Sequence, residues 1–174
     1  MRQALWEFSL EQYRRKEVER SCLYWQDQYG VDICLLLAVV WLGRGGHALA
    51  AVEIAALQRH SCGWQRAVIR PLRRLRRYLG RHLKRNLQRE RRQVVRLRLL
   101  AELYSQLKQL ELSAERQLLH RLQRYSEKAG WWPREAVAVS VEQAGTANLT
   151  CFLSAYSPPR DELQALCEVM NLRQ

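Results

Sequence analysis

The sequence predicts an all-α fold, an irregular helical bundle around one fully apolar helix, with a long basic amphipathic helical region. Three observations support this prediction. Apolar residues recur every three or four positions along most of the chain. Only 8 Gly and 4 Pro occur among 174 residues, so few positions favour a break in a helix. Because 48% of the residues are hydrophobic, the chain can bury its own core, and we expect a single domain over residues 1–174.

The N-terminal part supplies the apolar centre of the predicted bundle. Residues 5–13 carry a mixed apolar stripe. Gly30 then fits the left-handed position that ends a helix, and Asp32 fits the N-cap of the next one. Residues 33–42 are apolar on every side, which predicts a buried helix. The segment before Gly30 places apolar side chains on one helical face at Val18, Cys22, Trp25 and Tyr29.

A basic amphipathic region follows a short helix predicted over residues 47–59. We expect residues 61–63 to separate the two, and Pro71 to lie in the first turn of the basic helix, where proline is tolerated. Leucines at a spacing of three or four form one side of this helix. A single helix over residues 66–110 would be about 65 Å long, longer than a small domain is wide. The sequence therefore predicts a long helix with a break, or a helical hairpin, within residues 64–112.

The cations of this region lie opposite its leucines. Between residues 64 and 100 there are 14 Lys or Arg and a single acid, Glu90, so the local charge is +13 against +12 for the whole chain. Like charges four residues apart destabilise a helix by about 0.2–0.5 kcal/mol per pair, so neutralising anions are expected nearby. We call the following ten residues the basic stripe: Arg66, Arg70, Arg73, Arg74, Arg77, Arg81, Lys84, Arg85, Arg89 and Arg92.

The C-terminal part contains one ambiguous segment. AVAVSV at residues 136–141 alternates like a strand, but no second strand is predicted to pair with it. We therefore predict helix over residues 136–156. For the last helix we predict Ser157 as the N-cap, Pro158 at the first helical position, and two acids in the first turn.

Several blocks of the chain together resemble a known family. In order and spacing they are similar to small helical proteobacterial proteins of unknown function, and the QD-x-x-G-x-D pattern is the most distinctive part. The resemblance implies a bacterial, soluble, mainly helical protein, and it supplies no activity and no catalytic residue. The blocks are WEFSLEQY (6–13), SCLYWQDQYGVDICLLL (21–37), WLG (41–43), PLRRLRR (71–77), ELSAER (111–116) and ANL (147–149).

Polar residues near the apolar centre could form a metal or catalytic site. Gln26, Asp27 and Asp32 lie there, and two carboxylates across a helix break could hold Mg²⁺. Helix capping accounts for Asp32 without a metal, so we favour a structural role for all three. His60 and Cys62 form a single His/Cys pair, whereas structural zinc sites use four ligands. We therefore expect no metal site, no cofactor and no catalytic residues.

The basic stripe therefore determines the functional prediction. We expect a non-catalytic protein that contacts the phosphate backbone of RNA or DNA through the stripe. The first alternative is an adaptor that docks on an acidic protein, or neutralisation by the chain's own acids. Less favoured alternatives are an anionic membrane surface and an enzyme using Asp27 and Asp32. Since Tyr78 is the only aromatic residue among these cations, binding should not depend on base sequence.

The expected location is the cytoplasm. The N-terminus lacks the apolar core of a signal sequence, and the longest apolar run is about half of a membrane span. The five cysteines are odd in number and unclustered, which is typical of proteins in a reducing compartment. We predict no transmembrane segment.

Overall fold

The computed structural model describes residues 3–89, 94–131 and 141–170, and these residues contain helices and no strand. The prediction of an all-α fold is confirmed. A π-helical segment, Gln65–Ile69, lies between α4 and α5, and a 3₁₀ turn, Ser154–Tyr156, follows α7. The α-helices are α1 (Leu5–Arg14), α2 (Lys16–Gln28), α3 (Ile33–Arg44), α4 (Ala51–Trp64), α5 (Arg70–Arg89), α6 (Val94–Lys128), α7 (Val141–Leu153) and α8 (Arg160–Val169).

The ambiguous C-terminal segment is helical where the structure describes it. Helix α7 covers the part of residues 136–156 from Val141 to Leu153. Residues 136–140 lie outside the described part of the chain. The last residue of AVAVSV, Val141, is therefore the first residue of a helix and not part of a strand.

The chain divides into two compact units. The first consists of residues 1–61 and 119–174, and we call it the core unit. The second consists of residues 62–118, and we call it the hairpin unit. That residues 1–174 form one domain stays a prediction.

Helix α3 is the centre of the core unit, as its sequence predicts. Every residue from Ile33 to Gly43 is buried. Helices α1 and α7 pack against α3, and α8 packs against α2 and α7. At the start of α3, Asp32 accepts hydrogen bonds from the backbone N–H groups of Cys34 and Leu35, at 3.0 and 3.3 Å. The preceding Gly30 has a φ of +68°, the left-handed conformation predicted for it.

The crossing of α3 and α7 depends on two glycines and one asparagine. A Cβ atom on Gly43 would overlap the Cα atom of Gly145, so the two backbones approach as closely as glycine permits. Nearby, the fully buried Asn148 of α7 donates hydrogen bonds to the carbonyls of Val39 and His47, at 3.1 and 2.8 Å. Its Oδ1 accepts the N–H of Leu49 at 2.6 Å. These bonds attach the segment after α3 to α7.

The helical run that leads into the basic region differs from the prediction. Residues 61–63 do not separate two helices, because α4, the π-helical segment and α5 follow one another without a break. The N–H of Arg70 donates to the carbonyl of Gln65, the five-residue spacing of a π-helix. Pro71, which has no N–H and crowds the carbonyl four residues earlier, comes directly after this widened turn. The local π-helix explains how a proline is accommodated inside a long helical run.

Two other helices begin at residues that differ from the predicted ones. Helix α4 begins at Ala51 and not at residue 47, and the carboxylate of Glu53 accepts the N–H of Ala50 at 2.8 Å, which fixes that start. Helix α8 begins at Arg160, and Ser157 does not cap it. Pro158 precedes a second proline, and a residue before proline disfavours the helical conformation, so the helix begins after Pro159.

We predict that Gly43→Ala lowers the free energy of unfolding by about 3 kcal/mol, because its methyl group would force α3 and α7 apart. Gly63→Ala is the matched control, since nothing lies within 4 Å of the position that its Cβ would take. Alanine is favoured over glycine inside a helix, so this control should raise stability by about 0.5–1 kcal/mol. Urea unfolding followed by far-UV circular dichroism measures both. Equal stability of the two variants would contradict the close crossing.

Candidate nucleic-acid interface

The hairpin unit is built from α5 and α6 lying side by side in opposite directions. Before the π-helical segment, Trp64 Nε1 donates a hydrogen bond to the carbonyl of Ala114 at 2.9 Å. Further along, Arg73 Nε lies 2.9 Å from a carboxylate oxygen of Glu111. Later still, a Cβ on Gly80 would lie 3.1 Å from the ring of Tyr104. As the residue numbers of these contacts rise toward the end of α5, those of their partners on α6 fall. The two helices are therefore antiparallel.

A buried carboxylate joins the two helices. The side chain of Glu111 is 8% exposed and accepts hydrogen bonds from both Arg73 and Arg76. The second terminal nitrogen of Arg73 also donates to Glu115 at 2.6 Å. Two arginines of α5 are thus neutralised by acids one turn apart on α6.

The pKa of Glu111 shows that this carboxylate stays ionised despite its burial. Burial alone would raise the pKa of Glu111, but the hydrogen bonds and charges of Arg76 and Arg73 outweigh that effect and lower it. Hydrogen bonding to Glu111 is the main cause of the raised pKa of Arg76. The three groups therefore form a charged cluster whose members stabilise one another's ionised forms.

The structure describes the side chains of eight of the ten residues of the basic stripe, in two different environments. Arg73 belongs to the cluster around Glu111 and points toward α6. Arg89 ends α5, but its side chain, like the whole of Arg92, lies outside the described part of the chain. The remaining seven are exposed, and we call them the exposed ridge: Arg66, Arg70, Arg74, Arg77, Arg81, Lys84 and Arg85.

Most of the exposed ridge is not neutralised by the acids that the structure describes. Six of its seven cations form no ion pair with any acid among the residues that the structure describes, namely Arg66, Arg70, Arg74, Arg81, Lys84 and Arg85. By sequence, the hairpin unit holds 16 Lys or Arg and 4 acids, and the core unit holds 13 of each. The whole formal net charge of +12 therefore belongs to the hairpin unit.

A cleft of about 480 Å³ opens on the hairpin unit beside this ridge. Tyr104 of α6 lines one side, where its ring meets the backbone of Gly80. The absence of a side chain at Gly80 allows this close approach. The lining residues are Arg74, Arg76, Arg77, Gly80, Arg81, Lys84 and Tyr104. Five cations thus surround one small volume, an arrangement suited to an anion.

The acids considered for magnesium binding do not form such a site in the described residues. Asp32 is occupied as the N-cap of α3. Gln26 and Asp27 lie in the last turn of α2, where Asp27 is exposed. Within residues 3–89, 94–131 and 141–170, no group of three or more His, Cys, Asp or Glu is arranged to hold a metal ion. In the same ranges, no helix has an apolar stretch of the length needed to cross a membrane.

Four residues that shape this surface were missed in the sequence analysis: Arg76, Gly80, Tyr104 and Glu111. One signal was available for part of the set. Glu111 and Glu115 are four residues apart, one turn of a helix, and they follow a long segment that is poor in acids. This spacing predicts that the two acids lie on the same face of a helix. No sequence signal indicates that Tyr104 would meet Gly80.

We predict that Glu111→Gln lowers the free energy of unfolding by about 3 kcal/mol, because it leaves two partly buried guanidinium groups without their shared carboxylate. Glu102→Gln is the matched control, since Glu102 is an exposed acid on the same helix and its one described contact is a long hydrogen bond from Gln106. That change should cost less than about 0.5 kcal/mol. Thermal and urea unfolding measure both, and similar losses would show that Glu111 does not hold the hairpin together.

The lowered pKa of Glu111 also predicts how this contribution depends on pH. A carboxyl whose pKa is lowered in the folded state stabilises fully above its ordinary pKa of 4.5, and this stabilisation is lost as the pH falls through the lower folded value. The difference in unfolding free energy between wild type and Glu111→Gln should be constant between pH 6 and 7 and shrink below about pH 4.5. Urea titrations at several pH values measure it. A difference that grows in acid would contradict the sign of the pKa shift.

Comparison with known proteins gives one family match. The model of the family described as "Protein of unknown function (DUF2390)" matches residues 4–122, which is more than half of the chain. Searches of curated proteins and of solved structures found no match. The matched range includes α1 to α5 and most of α6, and therefore both helices of the hairpin unit. The chain belongs to this family of proteins of unknown function.

Proposed function

We propose that this protein binds nucleic acid without catalysis, and that the exposed ridge, on α5 and the π-helical segment before it, contacts the phosphate backbone of RNA or DNA. The observation that supports the proposal is the set of six exposed cations that form no ion pair with a described acid of the same chain. Uncompensated cations on a helix repel one another, and binding a polyanion removes that repulsion.

The length of the ridge suits a polymer of phosphates. From Arg66 to Arg85 the helical run extends for about 30 Å, at about 1.5 Å per residue. A nucleic-acid strand presents a phosphate about every 3.4 Å of duplex length. Cations spread over this length can therefore contact several consecutive phosphates. A cytoplasmic location, as expected from the sequence, would give the ridge access to both RNA and DNA.

The composition of the ridge favours the backbone over the bases. Tyr78 is the one exposed aromatic residue that the structure describes on α5. Stacking on single-stranded bases normally uses several aromatic side chains, whereas arginine forks bind phosphate oxygens of any sequence. We therefore propose binding that depends strongly on salt and weakly on sequence.

An acidic protein is the second candidate partner. One observation favours it: Leu75 and Tyr78 are 48% and 52% exposed on the same helix as the ridge. Apolar and aromatic side chains beside cations are typical of protein interfaces. Such a partner would bind with a weaker dependence on salt, because release of counterions condensed on nucleic acid would not contribute.

We predict that changing Arg70, Arg74, Arg81 and Arg85 together to Gln weakens binding of RNA and duplex DNA by more than tenfold. Each phosphate contact contributes about 0.9 to the slope of log affinity against log salt for duplex DNA, so the slope should fall in magnitude by up to about 3.6. Fluorescence anisotropy over a salt series measures both quantities. Circular dichroism confirms that the variant remains folded.

The control removes the same number of charges from the core unit. Arg14, Arg59, Arg124 and Arg160 are exposed there, and their change to Gln lowers the net charge equally. This control should keep most of the affinity and the salt slope of the wild type. If both quadruple variants lose binding equally, the ridge is not the contact surface. If the wild type binds neither RNA nor DNA, the proposed function is wrong.

A further inference from the structure

We propose that the cleft beside Gly80 binds a polyphosphate group, the chain of linked phosphoryl groups found in a nucleoside triphosphate and at a 5′-triphosphate end of RNA. The inference rests on the proposed function, because Arg74, Arg77, Arg81 and Lys84 belong to both the exposed ridge and the lining of the cleft. It adds a specific chemical group to what would otherwise be a uniform backbone contact.

The shape of the cleft is the first argument. A volume of about 480 Å³ lies within the range of about 300–1,000 Å³ found for small-molecule sites. The cleft is open to solvent, and its volume suits a compact group of a few phosphoryl units rather than a whole strand. Four of the five lining cations on α5 are spaced by three, four and three residues, so they lie on one side of the helix: Arg74, Arg77, Arg81 and Lys84.

Charge density is the second argument. Arg74, Arg81 and Lys84 form no ion pair with an acid in the described chain, and all three border the same volume. A phosphodiester backbone brings one negative charge per phosphate, and these charges are spread along the strand. Linked phosphoryl groups place several charges within the same space. A polyphosphate therefore matches the cations of the cleft better than an internal stretch of nucleic acid.

Preorganisation is the third argument. Arg76 lines the cleft while its Nε is held by the buried carboxylate of Glu111. Its position is therefore fixed before any ligand arrives, which lowers the entropy lost on binding. Tyr104 is fixed as well, because its ring lies against the backbone of Gly80. One wall of the cleft is thus set by the contacts that join α5 to α6.

The experiment compares short single-stranded RNAs of one sequence that differ at the 5′ end. One carries a 5′-triphosphate, one a 5′-monophosphate and one a 5′-hydroxyl. Binding of each to the full-length protein is measured by fluorescence anisotropy with a 3′ label at constant ionic strength. We expect the triphosphate RNA to bind roughly tenfold more tightly than the hydroxyl RNA, with the monophosphate RNA between them.

Competition by small anions identifies the source of the polyphosphate. Tripolyphosphate should abolish the advantage of the triphosphate RNA, whereas inorganic phosphate at equal ionic strength should not. If the affinity of ATP measured by direct binding equals the affinity measured by competition with the triphosphate RNA, a free nucleotide is a sufficient ligand. If the triphosphate RNA binds far more tightly than ATP, the RNA end is the ligand. Either result supports a polyphosphate site.

Two double variants with equal charge loss separate the cleft from the ridge. Arg81→Gln with Lys84→Gln changes two cations that line the cleft, and Arg70→Gln with Arg85→Gln changes two that do not. The first pair should remove the preference for the triphosphate end. The second pair should weaken all three RNAs by a similar factor and keep the preference.

The outcomes distinguish this inference from the proposed function. If the three RNAs bind equally and tripolyphosphate competes only as ordinary salt does, the cleft is not a polyphosphate site, while backbone binding stands. If the triphosphate preference persists in the cleft variant, the site is elsewhere and the inference is wrong. If no RNA binds but tripolyphosphate does, the proposed function is wrong and the cleft binds a free polyphosphate.

Discussion

The buried carboxylate of Glu111 is the contact on which the hairpin unit depends. Few apolar side chains are buried in that unit, and among the described residues they are Ile69, Ala114 and Leu118. An apolar core this small contributes only several kcal/mol on burial. A carboxylate shared by two guanidinium groups adds charge-assisted hydrogen bonds that pair one point of α5 with one point of α6. Loss of that carboxylate would leave buried positive charges facing each other.

The same cluster explains how α5, which carries many arginines, can pack one side against α6 and expose the other side to solvent. Burying an ion pair costs desolvation energy, so its main effect is often to fix register rather than to add stability. Here the register determines which cations point inward and which point outward. Arg73 and Arg76 are neutralised against α6, and Arg76 also borders the cleft that its neighbours Arg74 and Arg77 line. The geometry of the cleft is therefore a consequence of the ion pairs behind it.

The sequence predicted the elements whose signal is local, and it failed where a neighbouring helix decides the outcome. The apolar run of α3 and the cap at Asp32 follow from residue type alone, and the structure contains both. Periodicity also divided α5 into a leucine side and a cation side. It could not show which part of the surface of α5 packs against α6. In the structure Leu75 is 48% exposed, whereas the side chain of Arg73 is 17% exposed. The basic stripe therefore included Arg73, which packs against α6, and left out Arg76, which shares the carboxylate of Glu111.

The sequence blocks contain residues whose role in packing is clear from the structure, whereas three exposed cations outside these blocks have no such role. WLG and ANL contribute Gly43 and Asn148, which both lie at the crossing of α3 and α7. PLRRLRR and ELSAER contribute the arginines and acids of the hairpin cluster. In both cases the block residues explain packing without a ligand. Packing does not explain Arg81, Lys84 and Arg85, which are exposed and have no described ionic partner. Since the charge of the core unit is balanced, the net positive charge of the chain lies on the hairpin unit that carries these cations.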